Sequence, residues 1–145
     1  MQDFPHHYAA SARADAEGDV TLESPRLPAL VSAAPAEFGG PGDRWSPETM
    51  LVAAVADCFI LTFRAIARGS KLAWTSLSCE VEGTLDRVER VTQFTGFRVR
   101  ASLRVPAGTD EARAKRLLER AEQGCLITNS LKANSQLSLT VETGA

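Results

Sequence analysis

Two thiols carry most of the chemical interest of this 145-residue chain. Cys58 lies inside the nearly apolar run WSPETMLVAAVADCFILTFRAIARG, Trp45 to Gly69, and Cys125 directly follows Gly124 in GCLITNSLK. The thiolate is the nucleophile, and a thiol with the ordinary pKa of about 8.5 is only about 3% thiolate at pH 7. Cys58 falls too deep in its predicted helix for the N-terminal dipole to help directly, so it needs a positive charge from elsewhere if it is to react. Without one, packing accounts for it, because free cysteine is among the most buried residue types. Cys125 falls at a predicted helix start, where a thiolate is favoured and a thiol reaches a partner more easily. Two such thiols, 67 residues apart, suit a peroxidatic and resolving pair, and equally suit two unrelated cysteines. Cys79, on the apolar face of a predicted strand, reads as core.

Glu48 raises a geometric question. At 1.5 Å per residue, Glu48 and Cys58 lie about 15 Å apart along the helix and cannot touch within one chain. If both serve one site, a relay of ion pairs spans the gap, or Glu48 comes from a second subunit whose helix packs antiparallel. His6 and His7 are adjacent, near the terminus and away from other ligand types. They read as solvent-facing strand residues rather than a metal site.

The elements that must position these groups follow from periodicity and punctuation. His7 to Ala12 and Asp19 to Ser24 alternate as strands, with Ala16 to Gly18 as a hairpin turn between them. Pro35 to Asp43, PAEFGGPGD, reads as a loop. Ser46 as N-cap, Pro47 at the first helical position, Glu48 in the first turn and Gly69 as the stop frame a helix from about Pro47 to Arg68. Its middle is apolar on nearly all sides, the pattern of a helix buried in a core or an interface.

Leu72 to Leu85 alternates, with Leu77, Cys79, Val81 and Leu85 on one face. Phe97 to Val105 does the same, so DRVER between them closes a long antiparallel hairpin. Thr109 caps a helix that ends at Gly124, and a second short helix begins at Cys125. Gln136 to Thr143 closes the chain as a strand. This order is α+β with a largely antiparallel sheet, in a single domain over residues 1–145.

Composition narrows the classes. With 44% hydrophobic and 23% charged residues, a net charge of −2 and no block of like charges, nothing asks for nucleic acid or an anionic membrane surface. The start lacks the basic and apolar regions of a signal peptide, and Met50 to Ala67 carries Asp57, Thr62 and Arg64. A cytoplasmic protein with no membrane span is therefore expected. Three cysteines without CxxC spacing fit neither a disulfide scaffold nor a zinc ribbon.

In PETMLVAAVADCF and CLITNSLK, at their separation in this chain, the sequence resembles the OsmC/Ohr family of thiol-dependent hydroperoxide reductases. The resemblance extends from about Val20 to Val141 and includes the order of elements. It implies an OsmC-like fold built around the long central helix, in an intertwined homodimer with its sites at the interface. It also implies that Cys58 is the peroxidatic thiolate, Cys125 the resolving thiol, and Glu48 the residue orienting an arginine, either Arg13 or Arg44. The family often has Cys-Pro at the second cysteine, where this chain has Cys125-Leu126.

The implied reaction reduces an organic hydroperoxide to an alcohol through a Cys58 sulfenic acid and a Cys58–Cys125 disulfide. No cofactor is bound, and an external dithiol, of lipoyl type by resemblance, is the electron donor. Two other readings stay open. One is a dimer of the same fold that binds a small apolar molecule without thiol chemistry, and the other is a redox sensor.

Overall fold

The computed structural model describes residues 1–144, and the chain divides into two compact units, Met1–Met50 and Leu51–Ala145. The first unit is built on a small antiparallel sheet of β1 (Ser11–Arg13), β2 (Val20–Glu23) and β3 (Leu30–Ser32), in that order. The left-handed Gly18, at φ 98°, turns the chain between β1 and β2, a conformation glycine adopts without steric cost. The first strand is shorter and later than the expected His7 to Ala12. Its pairing starts at Ser11↔Glu23, because Pro25 has no N–H with which to extend the ladder and Ser24 instead donates its hydroxyl to the Ala9 carbonyl at 2.8 Å. β3 lies in a stretch between Ser24 and Pro35 to which the sequence pattern assigns no element.

Helix α1 (Pro47–Gly69) starts and stops where its punctuation predicts. The Thr49 N–H donates to Ser46 Oγ at 3.1 Å, and the Ser46 N–H donates back to Thr49 Oγ1 at 2.8 Å, a reciprocal capping box with threonine in the usual glutamate place. Within the chain, α1 buries one stripe at every fourth position: Val55, Phe59, Phe63 and Ala67. The rest of its apolar surface is half-buried or open, with Leu61 50% exposed.

In the second unit, β4 (Ser76–Val88) and β5 (Val91–Pro106) form the expected antiparallel hairpin. It closes on only two residues, Glu89 and Arg90, both at positive φ (51° and 69°), the backbone that matches the twist of the flanking strands. β6 (Asn134–Gly144) pairs with β5 in parallel, so the sheet is mixed, with order β4-β5-β6. The largely antiparallel sheet expected from the sequence thus includes one parallel pair. A parallel neighbour needs a crossover, and the helical segment between β5 and β6 supplies it.

That segment holds α2 (Glu111–Gly124) and α3 (Leu126–Asn129). Asp110, not Thr109, caps α2: its Oδ1 accepts from the Arg113 N–H at 3.2 Å, while the Thr109 hydroxyl donates to the Pro106 carbonyl at 2.7 Å. Phe97, Val99, Ala101, Leu103 and Val105 of β5 form the core with Ala114, Leu117, Leu118 and Ala121 of α2 and the buried stripe of α1. The opposite face of the sheet is solvated and carries the ion pairs Arg100–Glu80 at 2.9 Å and Arg104–Glu142 at 3.2 Å.

Candidate active site

Cys58 sits on α1 beside the buried stripe, one residue before Phe59, and is only half-buried. One turn further on, the Thr62 hydroxyl lies 3.7 Å from its sulfur, an i, i+4 pair on one helix face. Cys125 caps the end of α2 and the start of α3, and is 2% exposed. Its backbone is tied on both sides: its N–H donates to the Glu122 carbonyl at 3.3 Å, and its carbonyl accepts from the Asn129 N–H at 3.0 Å and the Thr128 hydroxyl at 3.1 Å.

The fold brings these two thiols together. The Cys58 sulfur lies near the backbone N–H groups of Ile127 and Leu126 and the thiol of Cys125, and its hydrogen-bond partner is the Thr62 hydroxyl. Burial alone pushes the Cys58 thiol up. Ile127, Cys125, Thr62 and Leu126 together outweigh that penalty, so the thiol titrates below its ordinary range. Within the Leu51–Ala145 unit, the groups that lower the Cys58 thiol are neutral donors. Two of them, the amides of Leu126 and Ile127, leave no side-chain signature in the sequence. Thr62 does leave one, because a hydroxyl four residues along a helix always faces the residue it follows. Leu126 has a further consequence: a proline in its place would have no N–H to present to the sulfur.

Cys79 of β4 is the third thiol of this neighbourhood. It is half-buried, packs against the core, and is pushed up to about 11, first by burial and then by the nearness of Cys125 and Glu80. It is therefore a weaker nucleophile than Cys58.

The remaining candidates lie in the Met1–Met50 unit, each with its own neighbours. Arg13 on β1 is exposed and donates from Nε to Glu23 Oε1 at 2.7 Å, which raises its pKa further. Arg44 turns to Asp19, at 3.2 Å, and to Asp43, at 3.8 Å, rather than to Glu48 four residues on. Glu48 stands in the first turn of α1, and its Oε1 is buried without a hydrogen-bond partner among the described residues. His6 stacks on Phe4 at 4.6 Å and meets the Gln2 carbonyl at 3.0 Å.

An apolar cleft of about 140 Å³ opens in the second unit between Leu51, Phe94 and Phe97 on one side and Leu131 to Ala133 on the other. Leu51 precedes Cys58 by two helical turns on the same face of α1, about 10 Å along the axis. Val55 and Phe59, apolar neighbours of Cys58 along α1, are 1% exposed and belong to the core.

Architecture and site together define an OsmC-like α+β fold carrying a closely approached pair of thiols. The chain belongs to the OsmC-like protein family, whose model matches residues 40–140 and so takes in both cysteines. It is 34% identical over 122 residues to the uncharacterized protein YmaD of Bacillus subtilis, covering 82% of this chain and 81% of that one. It is 33% identical over 135 residues to the organic hydroperoxide resistance protein of Xanthomonas axonopodis pv. citri, covering 91% of each. Among solved structures, an organic hydroperoxide resistance protein OsmC from Legionella pneumophila superposes with a TM-score of 0.74 at 26% identity, over 97% of this chain and 99% of the other.

Proposed function

We propose that this chain is a thiol-dependent peroxidase that reduces organic hydroperoxides to alcohols. The observation that carries the reading is the Cys58 sulfur, favoured as thiolate, facing the thiol of Cys125. The relatives named for organic hydroperoxide resistance support it.

In the proposed cycle, the Cys58 thiolate attacks the distal oxygen of the hydroperoxide. The O–O bond breaks, Cys58 becomes a sulfenic acid, and the alkoxide takes up a proton and leaves as the alcohol. The N–H groups of Leu126 and Ile127 and the Thr62 hydroxyl stabilise the anionic sulfur before attack. Cys125 then condenses with the sulfenic acid, forming the disulfide and releasing water. An external dithiol, for which a lipoyl group is our candidate, reduces that disulfide by two exchange steps and becomes a disulfide itself.

The reading includes a homodimer. Helix α1 is long and apolar enough to cross a bilayer by length and composition, yet only 22% of its most apolar stretch is buried within the chain. A second copy packed on that face removes the exposed apolar surface. It also offers Glu48 and an arginine, Arg13 or Arg44, a route to a site that a single chain leaves incomplete. A cytoplasmic location, where the thiols start reduced, goes with this reading.

The test is mass spectrometry after one equivalent of cumene hydroperoxide. A Cys58–Cys125 disulfide is expected, with turnover lost in Cys58→Ser. Both thiols remaining reduced under excess peroxide overturns the reading in favour of a binding module, and a disulfide without turnover by any dithiol assigns the site to redox sensing.

A further inference from the structure

We propose that Thr62 is a positioning residue for the thiol pair, its hydroxyl holding the Cys58 sulfur while its methyl group rests beside Gly124, the residue before Cys125. The catalytic consequence rests on the peroxidase reading, but the positioning itself does not.

The Thr62 hydroxyl lies 3.7 Å from Cys58 Sγ, a normal reach for a hydrogen bond to sulfur. A Cβ added at Gly124 would stand 3.5 Å from Thr62 Cγ2, so the methyl group borders the end of α2 where Cys125 begins. In a helix, a threonine χ1 divides between two rotamers, and one of them turns the hydroxyl back to a main-chain carbonyl. A methyl group lodged beside Gly124 favours the other, with the hydroxyl on Cys58. One β-branched side chain thus touches both thiol-bearing segments and fixes the direction of one sulfur toward the other.

The groups meeting Cys58 are few and named. They are the amides of Leu126 and Ile127, the Cys125 thiol and Thr62, with Cys79 of β4 lying near Cys125, Glu80 beside Cys79, and the neighbouring Asp57 exposed on α1. Only Thr62 among the donors comes from α1 itself. It therefore holds the sulfur whether or not the segment around Cys125 has moved.

Valine at position 62 keeps the methyl group and removes the hydroxyl, while serine keeps the hydroxyl and frees its rotation. Alkylation of Cys58 by iodoacetamide, followed by peptide mass spectrometry from pH 5 to 9 in the reduced full-length chain, reads the thiolate directly and needs no peroxide. Thr62→Val is expected to move the Cys58 profile to higher pH and slow alkylation at pH 7 by about three- to tenfold, the range expected for losing a typical hydrogen bond. Thr62→Ser is expected to restore most of that rate. Thermal melts of both variants exclude unfolding as the cause, and Thr62→Ala serves in place of valine if that variant does not fold. A profile for Thr62→Val that superposes on the wild type overturns the proposal, and so does a Thr62→Ser profile displaced equally far. A shifted profile in a chain whose wild type shows no peroxide turnover leaves the positioning role intact and removes the peroxidase reading alone.

Discussion

Cys125 brings its thiol near the sulfur of Cys58, closing a sequence gap of 67 residues through the turn between α2 and α3. If that contact is the resolving step, removing the second thiol arrests the cycle with Cys58 oxidised. In Cys125→Ala, one equivalent of cumene hydroperoxide is expected to leave a Cys58 sulfenic acid that dimedone traps at stoichiometric yield. Dithiol-supported turnover falls by about 10²-fold or more, because the disulfide through which electrons return no longer forms. Absence of a dimedone adduct beside unchanged turnover assigns resolution to the external thiol instead.

Cys58 and Cys79 are expected to react in a fixed order. Cys58 titrates below the ordinary thiol range and Cys79 at about 11, so iodoacetamide at pH 7.5 labels Cys58 ahead of Cys79. The same shifts have opposite signs for stability. A thiol depressed in the folded state contributes stability above its unfolded pKa of about 8.5 and loses it as pH falls through the folded value. Cys79, raised in the folded state, contributes fully below about 8.5 and loses that contribution as pH climbs toward 11. Thermal midpoints measured from pH 8 to 11 are expected to fall less steeply in Cys79→Ala than in the wild type. Parallel curves for the two proteins count against the raised Cys79 value.

The sequence made the long helix, the hairpin and the thiol-bearing turn legible because each is set by local signals: a serine cap, strict alternation, a glycine before Cys125. Other features depended on partners remote in the chain. Nothing in Gln136 to Thr143 says that β6 runs parallel to β5, since alternation is the same in either direction and only the crossover decides it. Arg44 illustrates the same limit at the site: its spacing to Glu48 suits a helical ion pair, but it lies before the helix begins, and Asp19, 25 residues earlier, takes its guanidinium. The donors around Cys58 were hidden for a different reason. A backbone amide has the same identity at every position, so its role appears only once α3 is placed.

Asp110 tests whether the observed cap or the expected one holds α2. Its carboxylate accepts from the Arg113 N–H, whereas Thr109 satisfies a carbonyl of the preceding strand. Asp110→Ala is expected to cost about 1 kcal/mol of unfolding free energy in urea titrations, within the usual range for a lost N-cap. Thr109→Ala is expected to cost less, because the remaining turn keeps its backbone bond from Thr109 N–H to the Pro106 carbonyl at 3.2 Å. Equal losses in the two variants return the cap to Thr109.

Gly83 gives the most direct handle on how α1 is seated against the sheet. A Cβ at this position would lie 2.9 Å from Val52 Cγ2, 3.0 Å from Phe94 Cε1 and 3.1 Å from Phe97 Cε1, all shorter than ordinary carbon contacts. The helix therefore approaches β4 only because residue 83 has no side chain. Gly83→Ala forces Val52 or the stacked Phe94–Phe97 pair, 5.3 Å between centroids, to move. The expected destabilisation is about 1–3 kcal/mol by chemical denaturation, as for other overpacked cores. Val52 lies six residues before Cys58 on the same helix, so displacing it also disturbs the approach of Cys58 to Ile127 and Cys125. A slower alkylation of Cys58 at pH 7 should accompany the loss of stability. A Gly83→Ala protein with wild-type stability and wild-type Cys58 reactivity shows that the helix is not seated through this contact.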